Sequence, residues 1–231
     1  MPDTNQIQEQ IMKNLGKLLI LVLVFAITTE SYSQKFGIGI KGGLNLSNLH
    51  NNDDRGADYS TVDYKIKPGF HIGATVEIPI YKVLSLETGL LMSSQGYRST
   101  YTDIFEFEKG KESLFSLYLN IPLAAKVTFS AGHVKIYGAI GPYIGIGLFG
   151  KFKWDFPLDS DSETVSWGSD PDSDHFKRLD YGLIGGPGIE IKSLQIGLSY
   201  GLGLRNISPE EGVKASNRVL RLSVGYKFGA K

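Results

Sequence analysis

The chain is 231 residues long, 42% hydrophobic and 21% charged, and its 24 basic and 24 acidic side chains cancel. Balanced charge with 11% aromatics leaves too much apolar surface for disorder, and no basic excess exists to release counterions from phosphate, so nucleic-acid binding has no electrostatic support. The absence of cysteine excludes a disulfide scaffold, a thiolate metal site and a thiol nucleophile.

Lys13 and Lys17 precede ten unbroken apolar residues, Leu18 to Ile27, which lead into Thr28-Thr29-Glu30 and Ser31-Tyr32-Ser33. A charged, then apolar, then small-residue layout is that of a secretory signal peptide. Ten apolar residues are too few for a spanning helix, which needs about 20. Residues 1–33 are therefore expected to be a cleaved signal peptide, with Met12 a second possible start, and residues 34–231 the mature domain. Its removal takes away Asp3, Glu9, Lys13, Lys17 and Glu30, so the remainder stays nearly neutral.

From Phe36 onward the hydrophobic period is two, which predicts strands with one greasy and one small or polar face. In the first segment Phe36, Ile38, Ile40, Leu44 and Leu46 oppose Lys41, Gly43, Asn45 and Ser47. The second sets Phe70, Ile72, Ala74, Val76 and Ile78 against His71, Gly73, Thr75 and Glu77; the third sets Leu84, Leu86, Leu90 and Met92 against Ser85, Glu87 and Ser93, with Leu91 out of pattern. In the fourth, Leu117, Leu119, Ile121, Leu123 and Val127 face away from Tyr118, Asn120, Ala124 and Lys126. The fifth alternates Ile136, Ile140, Ile144 and Ile146 with Lys135, Tyr137, Gly141 and Tyr143, and the sixth Tyr181, Leu183 and Ile189 with Gly182, Gly188 and Glu190. The seventh has Leu194, Ile196, Leu198 and Tyr200 against Gln195, Ser199 and Arg205, and the eighth Leu220, Leu222, Val224, Tyr226 and Phe228 against Arg221, Ser223 and Lys227.

Tight links near Tyr81-Lys82, Ser130-Ala131-Gly132 and Lys192-Ser193 alternate with long polar stretches, roughly 49–65, 96–113, 151–180 and 206–217. All the long connections thus leave on one side. Short turns at one end, long loops at the other and an even strand number predict an all-β fold, an eight-stranded antiparallel up-and-down transmembrane β-barrel. Backbone amides in hydrocarbon have no water to bond, so a sheet there must close on itself. An eight-stranded lumen has room only for side chains, and the Gly- and Ser-diluted charged face fits it better than the Leu, Ile and Phe face. A soluble barrel would need the opposite assignment. Phe36, Phe70, Phe129, Tyr226 and Phe228 are placed for interfacial girdles. Pro122, Pro142 and Pro187 each remove a ladder donor and are expected at bulges or rims.

Phe36-Gly37-Ile38-Gly39-Ile40-Lys41-Gly42-Gly43-Leu44-Asn45, Tyr118-Leu119-Asn120-Ile121-Pro122-Leu123, Gly141-Pro142-Tyr143-Ile144-Gly145, the stretch Asp180 to Gly188 and Tyr200 to Ile207 together resemble the outer-membrane β-barrel family of Bacteroidetes-type bacteria, the porin family or PorT-like proteins. The resemblance implies an integral barrel of the bacterial outer membrane with periplasmic termini and extracellular long loops, and one branch implicated in protein secretion. It implies contact with outer-membrane lipid and with the barrel-assembly machinery through the C-terminal strand, anchored at Phe228 although Gly229-Ala230-Lys231 follow, and it carries no catalytic residues.

Among candidate chemical groups, Asp170-Pro171-Asp172-Ser173-Asp174 offers oxygens for calcium, but His175 and Tyr181 stand where an EF-hand needs Gly and Glu, and acidic blocks ordinarily stay solvated. His50, His71, His133 and His175 raise a barrel hydrolase. The nearest base and carboxylate on one strand face, His71 and Glu77, are about 20 Å apart along the strand. Gly37-x-Gly39 lies within a strand with no following helix to present to phosphate. No catalytic, cofactor-binding or metal residue is therefore assigned, and no cofactor is expected. The expected role is structural or interactive, through the long loops and an extracellular or secretion-system partner, with a narrow transporter of small solutes as the alternative.

Overall fold

The computed structural model describes residues 36–53, 63–102, 109–155 and 160–228. The expected signal peptide, its cleavage point after Ser33 and the terminal Gly229-Ala230-Lys231 lie outside the described residues. The described residues form nine strands: β1 (Gly37–Asp53), β2 (Asp63–Tyr81), β3 (Leu84–Thr102), β4 (Lys109–Ala131), β5 (Val134–Asp155), β6 (Ser160–Thr164), β7 (Leu179–Ile191), β8 (Leu194–Gly203) and β9 (Val213–Phe228). Eight of them close a ring in the order β1-β2-β3-β4-β5-β7-β8-β9, every neighbour antiparallel, and β6 is a short flap paired to the far end of β5. The ring shuts through an unbroken ladder from Ile38↔Phe228 to Asp53↔Val213, so β1 and β9 are not free edges.

The faces fall as the alternation requires. Ile38, Ile40, Leu44, Leu222, Val224 and Leu198 are all exposed on the outer wall, the last at 46%. Asn45, Ser47, Ser93, Lys126 and Asp180 are buried inside. That inversion of a soluble protein is what a hydrocarbon solvent selects, because lipid tails are as apolar as Leu and a narrow lumen must hold the polar groups. Leu91, which broke the sequence pattern, points inward and is buried.

Glycines let so small a ring bend. A Cβ on Gly43 would lie 1.9 Å from the Leu222 carbonyl oxygen of β9, and one on Gly73 would lie 2.0 Å from that of Leu90 in β3. No side chain fits between strands that close.

Three features differ from the sequence expectation. The strands at the loop end run further: β1 continues to Asp53, β3 to Thr102 and β5 to Asp155, and the stretch 151–180 contains β6. Above the hydrocarbon the outer face meets water and turns polar, so the regular apolar period fades while the ladder continues. Secondly, Pro122, Pro142 and Pro187 are neither bulged nor at rims. Each is paired within the wall, Pro122↔Tyr143, Pro142↔Leu183 and Pro187↔Gly138. Around Pro187 the β7–β8 ladder steps from Gly185↔Tyr200 to Gly188↔Gly197 with its register unchanged, because a missing N–H removes a bond without adding a residue. Thirdly, the irregularities lie elsewhere, between Ile66 and His71, between Pro79 and Tyr81, and at Leu117/Tyr118 opposite Leu148. Past Leu148 the facing of β5 inverts, which turns Phe152 inward, where it is buried.

The face assignment has a direct energetic test. Leu198→Arg should lower the folding free energy in bilayers by about 2–4 kcal/mol, read from urea titrations in phosphatidylcholine vesicles, whereas Leu198→Ile should stay within about 0.5 kcal/mol.

Candidate functional site

The lumen is filled in three tiers. At the short-turn end, Glu77 of β2 stands directly opposite Glu87 of β3, a juxtaposition of like charges that is unfavourable by itself. Lys126 of β4, with no exposed side-chain surface, resolves it: Nζ lies 2.9 Å from Glu77 Oε2, 3.5 Å from Glu87 Oε2 and hydrogen-bonds Glu190 Oε1 of β7. Lys227 of β9 bridges Glu77 and Glu190 at 2.7 and 2.8 Å, and Lys41 of β1 pairs with Glu87. Ser85 Oγ and Gln195 Nε2 donate the remaining bonds to Glu77 and Glu190. Three ammoniums thus match three carboxylates drawn from six strands. The Lys126 ammonium also sits 4.2 Å from the Tyr137 ring centroid, and that ring occupies the space left by Gly188 and Gly197. Lys135, grouped with these charges on sequence grounds, is exposed beside the Gly132-His133 turn, and Arg205 lies beyond the end of β8.

The middle tier is polar. Ser223 of β9 and His71 of β2 are both register partners of Gly43 in β1, and because Gly43 has no side chain they meet across it, Ser223 Oγ to His71 Nε2 at 2.9 Å. His71 Nδ1 lies 2.7 Å from Asn45 Oδ1. The Asn45 amide nitrogen donates to the Phe70 and Ser94 carbonyls and to Ser93 Oγ, which leaves Oδ1 to accept from His71 and so sets Nε2 as the acceptor for the Ser223 hydroxyl. A hydroxyl, an imidazole and an orienting amide in this order have the form of an activated nucleophile. Sequence reasoning compares His71 only with Glu77 on its own strand and misses this row, in which Ser223 and His71 are 152 residues apart. Glu77 belongs instead to the lower ionic tier. The cavity on which His71, Ser223 and the buried Arg221 border has a volume of about 70 Å3, room for several waters. Nearby, Asp180 Oδ2 accepts from Tyr143 and Asn217.

The upper tier closes the loop end. Residues 165–178 fold inward after β6, with Val165 N–H bonded to the Gly150 carbonyl, Gly147 N–H to that of Arg178 and Lys177 N–H to that of Ile207. Trp167 fills the space left by Gly147 and meets Tyr118 edge-on at 5.5 Å. Phe152 stacks between Trp154 and Phe176 at 5.5 and 6.0 Å. Leu49, Tyr97, Leu114, Val165 and Ile207 complete a buried apolar cap. The acidic run lies on its outer side, where the aspartates make turn bonds. Asp174 Oδ1 accepts from Ser166 Oγ, Asp174 Oδ2 from Asp170 N–H, and Asp170 Oδ1 from Asp172 N–H. Among the described residues no group of three or more carboxylates and imidazoles is placed to hold a metal ion. His50 and His133 lie apart at opposite ends of the barrel, while His175 accepts from Ser166 N–H beside the cap.

A family model described as outer membrane protein beta-barrel domain matches residues 30–208. No curated protein matches the chain. Among solved structures, Ail, the attachment invasion locus protein of Yersinia pestis, solved with the heparin analogue sucrose octasulfate, is 17% identical over 84% of this chain and 99% of its own, with a TM-score of 0.37. OprG of Pseudomonas aeruginosa is 14% identical over 84% of this chain and 97% of its own, at 0.45. Neisserial surface protein A is 12% identical over 82% and 95%, at 0.35.

The ionic tier is tested by Lys126→Met, which leaves Glu77, Glu87 and Glu190 sharing two lysines. Removing one partner of a buried ionic group costs about 3–5 kcal/mol, so the urea midpoint in detergent or lipid should fall accordingly.

Proposed function

Since the chain belongs to the outer membrane protein β-barrel domain family, we propose that it acts in the outer membrane as a closed, non-conducting barrel that presents its loop end to a partner outside the cell. The observation that carries this reading is the stoppered lumen. A neutral ionic tier fills one end and an aromatic cap the other, leaving a chamber of about 70 Å3 between them. The termini of the ring, Gly37 and Phe228, lie at the short-turn end, which in this reading faces the periplasm. The outward pair Tyr226 and Phe228, in edge contact at 5.4 Å, then serves as the strand end offered to the assembly machinery.

A hydrolase is not favoured, although the Ser223–His71–Asn45 row has the required order. His71, Ser223 and Asn45 are buried in the wall and are hydrogen-bonded to one another and to neighbouring strands. In this reading the row is a packing device that satisfies three buried polar side chains across β1. The secretion-linked role implied for one branch of PorT-like proteins fits the same geometry, with the barrel as a fixed outer-membrane platform.

Planar-bilayer recording distinguishes the two main readings. Purified protein should insert, show heat-modifiable mobility on gels and yield no steady open level. Sustained ohmic steps from the unaltered chain would overturn the closed-barrel reading in favour of a narrow solute path.

A further inference from the structure

We propose that the chamber in the middle of the lumen is a binding site for one small monovalent anion, of the size of chloride or nitrate, held by the guanidinium of Arg221. Arg221 projects inward from β9 between its register partners, Asn45 of β1 and Ser199 of β8. Only 4% of it is exposed, and its guanidinium occupies the space that Gly201 leaves on β8. Its Nη1 has no hydrogen-bond partner. Arginine stays protonated in proteins, so a full charge has been taken out of water here. Such a charge is costly unless it is both paired and hydrogen-bonded.

The nearby carboxylates do not pair with it. Those of the lower tier, Glu77, Glu87 and Glu190, are matched by Lys41, Lys126 and Lys227. Asp180 attracts the guanidinium only from beyond ion-pair range, and its Oδ2 already accepts from Tyr143 and Asn217.

Two voids meet at Arg221, and their chemistry differs. One, of about 10 Å3, is bounded also by Ser93, Asn120 and Tyr143; it has about the room that a single water needs, and Asn120 Oδ1 is an unpartnered acceptor beside it. The other is the chamber of about 70 Å3, whose polar border with Arg221 is Lys41, Tyr137, Ser199 and Ser223. These groups are donors. The one carboxylate on that border, Glu87, is bonded to Lys41 and lies 3.5 Å from Lys126, and His71 Nε2 is taken by Ser223. Water in the chamber would satisfy the N–H groups and leave the charge standing. An anion answers both, through charge-assisted bonds about twice as strong as neutral ones. A divalent anion would reverse the imbalance instead of cancelling it. With the ionic tier on one side and the aromatic cap on the other, an ion taken up as the ring closes leaves slowly.

The site goes beyond the closed-barrel reading, but its slow release rests on that reading, and the experiment keeps the two apart. The full chain would be refolded in zwitterionic micelles in sodium bromide, passed through gel filtration in sodium gluconate, and its retained bromide counted by elemental mass spectrometry. The expected count is about one bromide per chain, as one uncompensated charge requires, falling about tenfold in R221Q and unchanged in K135Q, whose lysine is exposed beside a short turn. Equal retention by R221Q, or a count near zero in the unaltered chain, would overturn the anion site. Should R221Q fail to fold, bromine anomalous scattering from crystals of the unaltered chain reads the same site. A peak in contact with the Arg221 guanidinium supports the proposal, and a chamber without one overturns it. Steady conductance from the unaltered chain would instead strike at the closed-barrel reading.

Discussion

Closure of the β1–β9 ladder is the condition on which the rest of the molecule depends. In a medium without water every wall amide needs a partner from a neighbouring strand, and the shortest common way to supply one is a ring of eight. The ring then imposes its own terms. Its interior is too narrow for a second layer of large apolar side chains, so small residues line the tightest bends and the few large groups must interlock. Gly188 and Gly197 make room for Tyr137, and Gly147 makes room for Trp167. The glycine content of this chain is the consequence of curvature.

The charged tier follows from the same constraint. Polar groups cannot face the lipid, and ionised groups inside the wall must be compensated. Taking an ammonium such as Lys126 out of water costs several kcal/mol, which its carboxylates offset only with close geometry and satisfied remaining bonds. Here Ser85 and Gln195 provide those bonds. The tier joins β1, β2, β3, β4, β7 and β9, so it favours one strand register around the ring. A slip of one residue would carry a lysine or glutamate onto the lipid face.

Much of this was legible in the sequence, and the boundary is physical. Two-residue alternation reports which face a side chain takes wherever one side is lipid and the other is not, so Ile38 to Leu46 and Leu194 to Tyr200 were read correctly, and the short turns at Lys82, Gly132 and Lys192 with them. The signal weakens above the lipid, where the outer face meets water and loses its apolar residues, so the strand extensions and β6 carry no regular two-residue period. Local pattern also could not announce the inversion at Leu148, which depends on how β5 pairs with β4. The Ser223–His71 contact needed the register of three strands and the emptiness of Gly43 between them. Gly43 was visible as a small residue on the inner face, but its neighbours were not.

The apolar cap bears on the order of events during biogenesis. Leu49, Tyr97, Leu114, Phe152, Val165, Phe176, Ile207 and Ala215 come from five strands of the wall and from chain segments on either side of β7 and β8. Its strand members include β1 and β9, whose ladder shuts the ring, so it condenses only as the cylinder closes. It then behaves as a latch: dismantling the protein from the loop end has to expose those rings to water before any wall strand can part, which slows the reverse step without hastening the forward one.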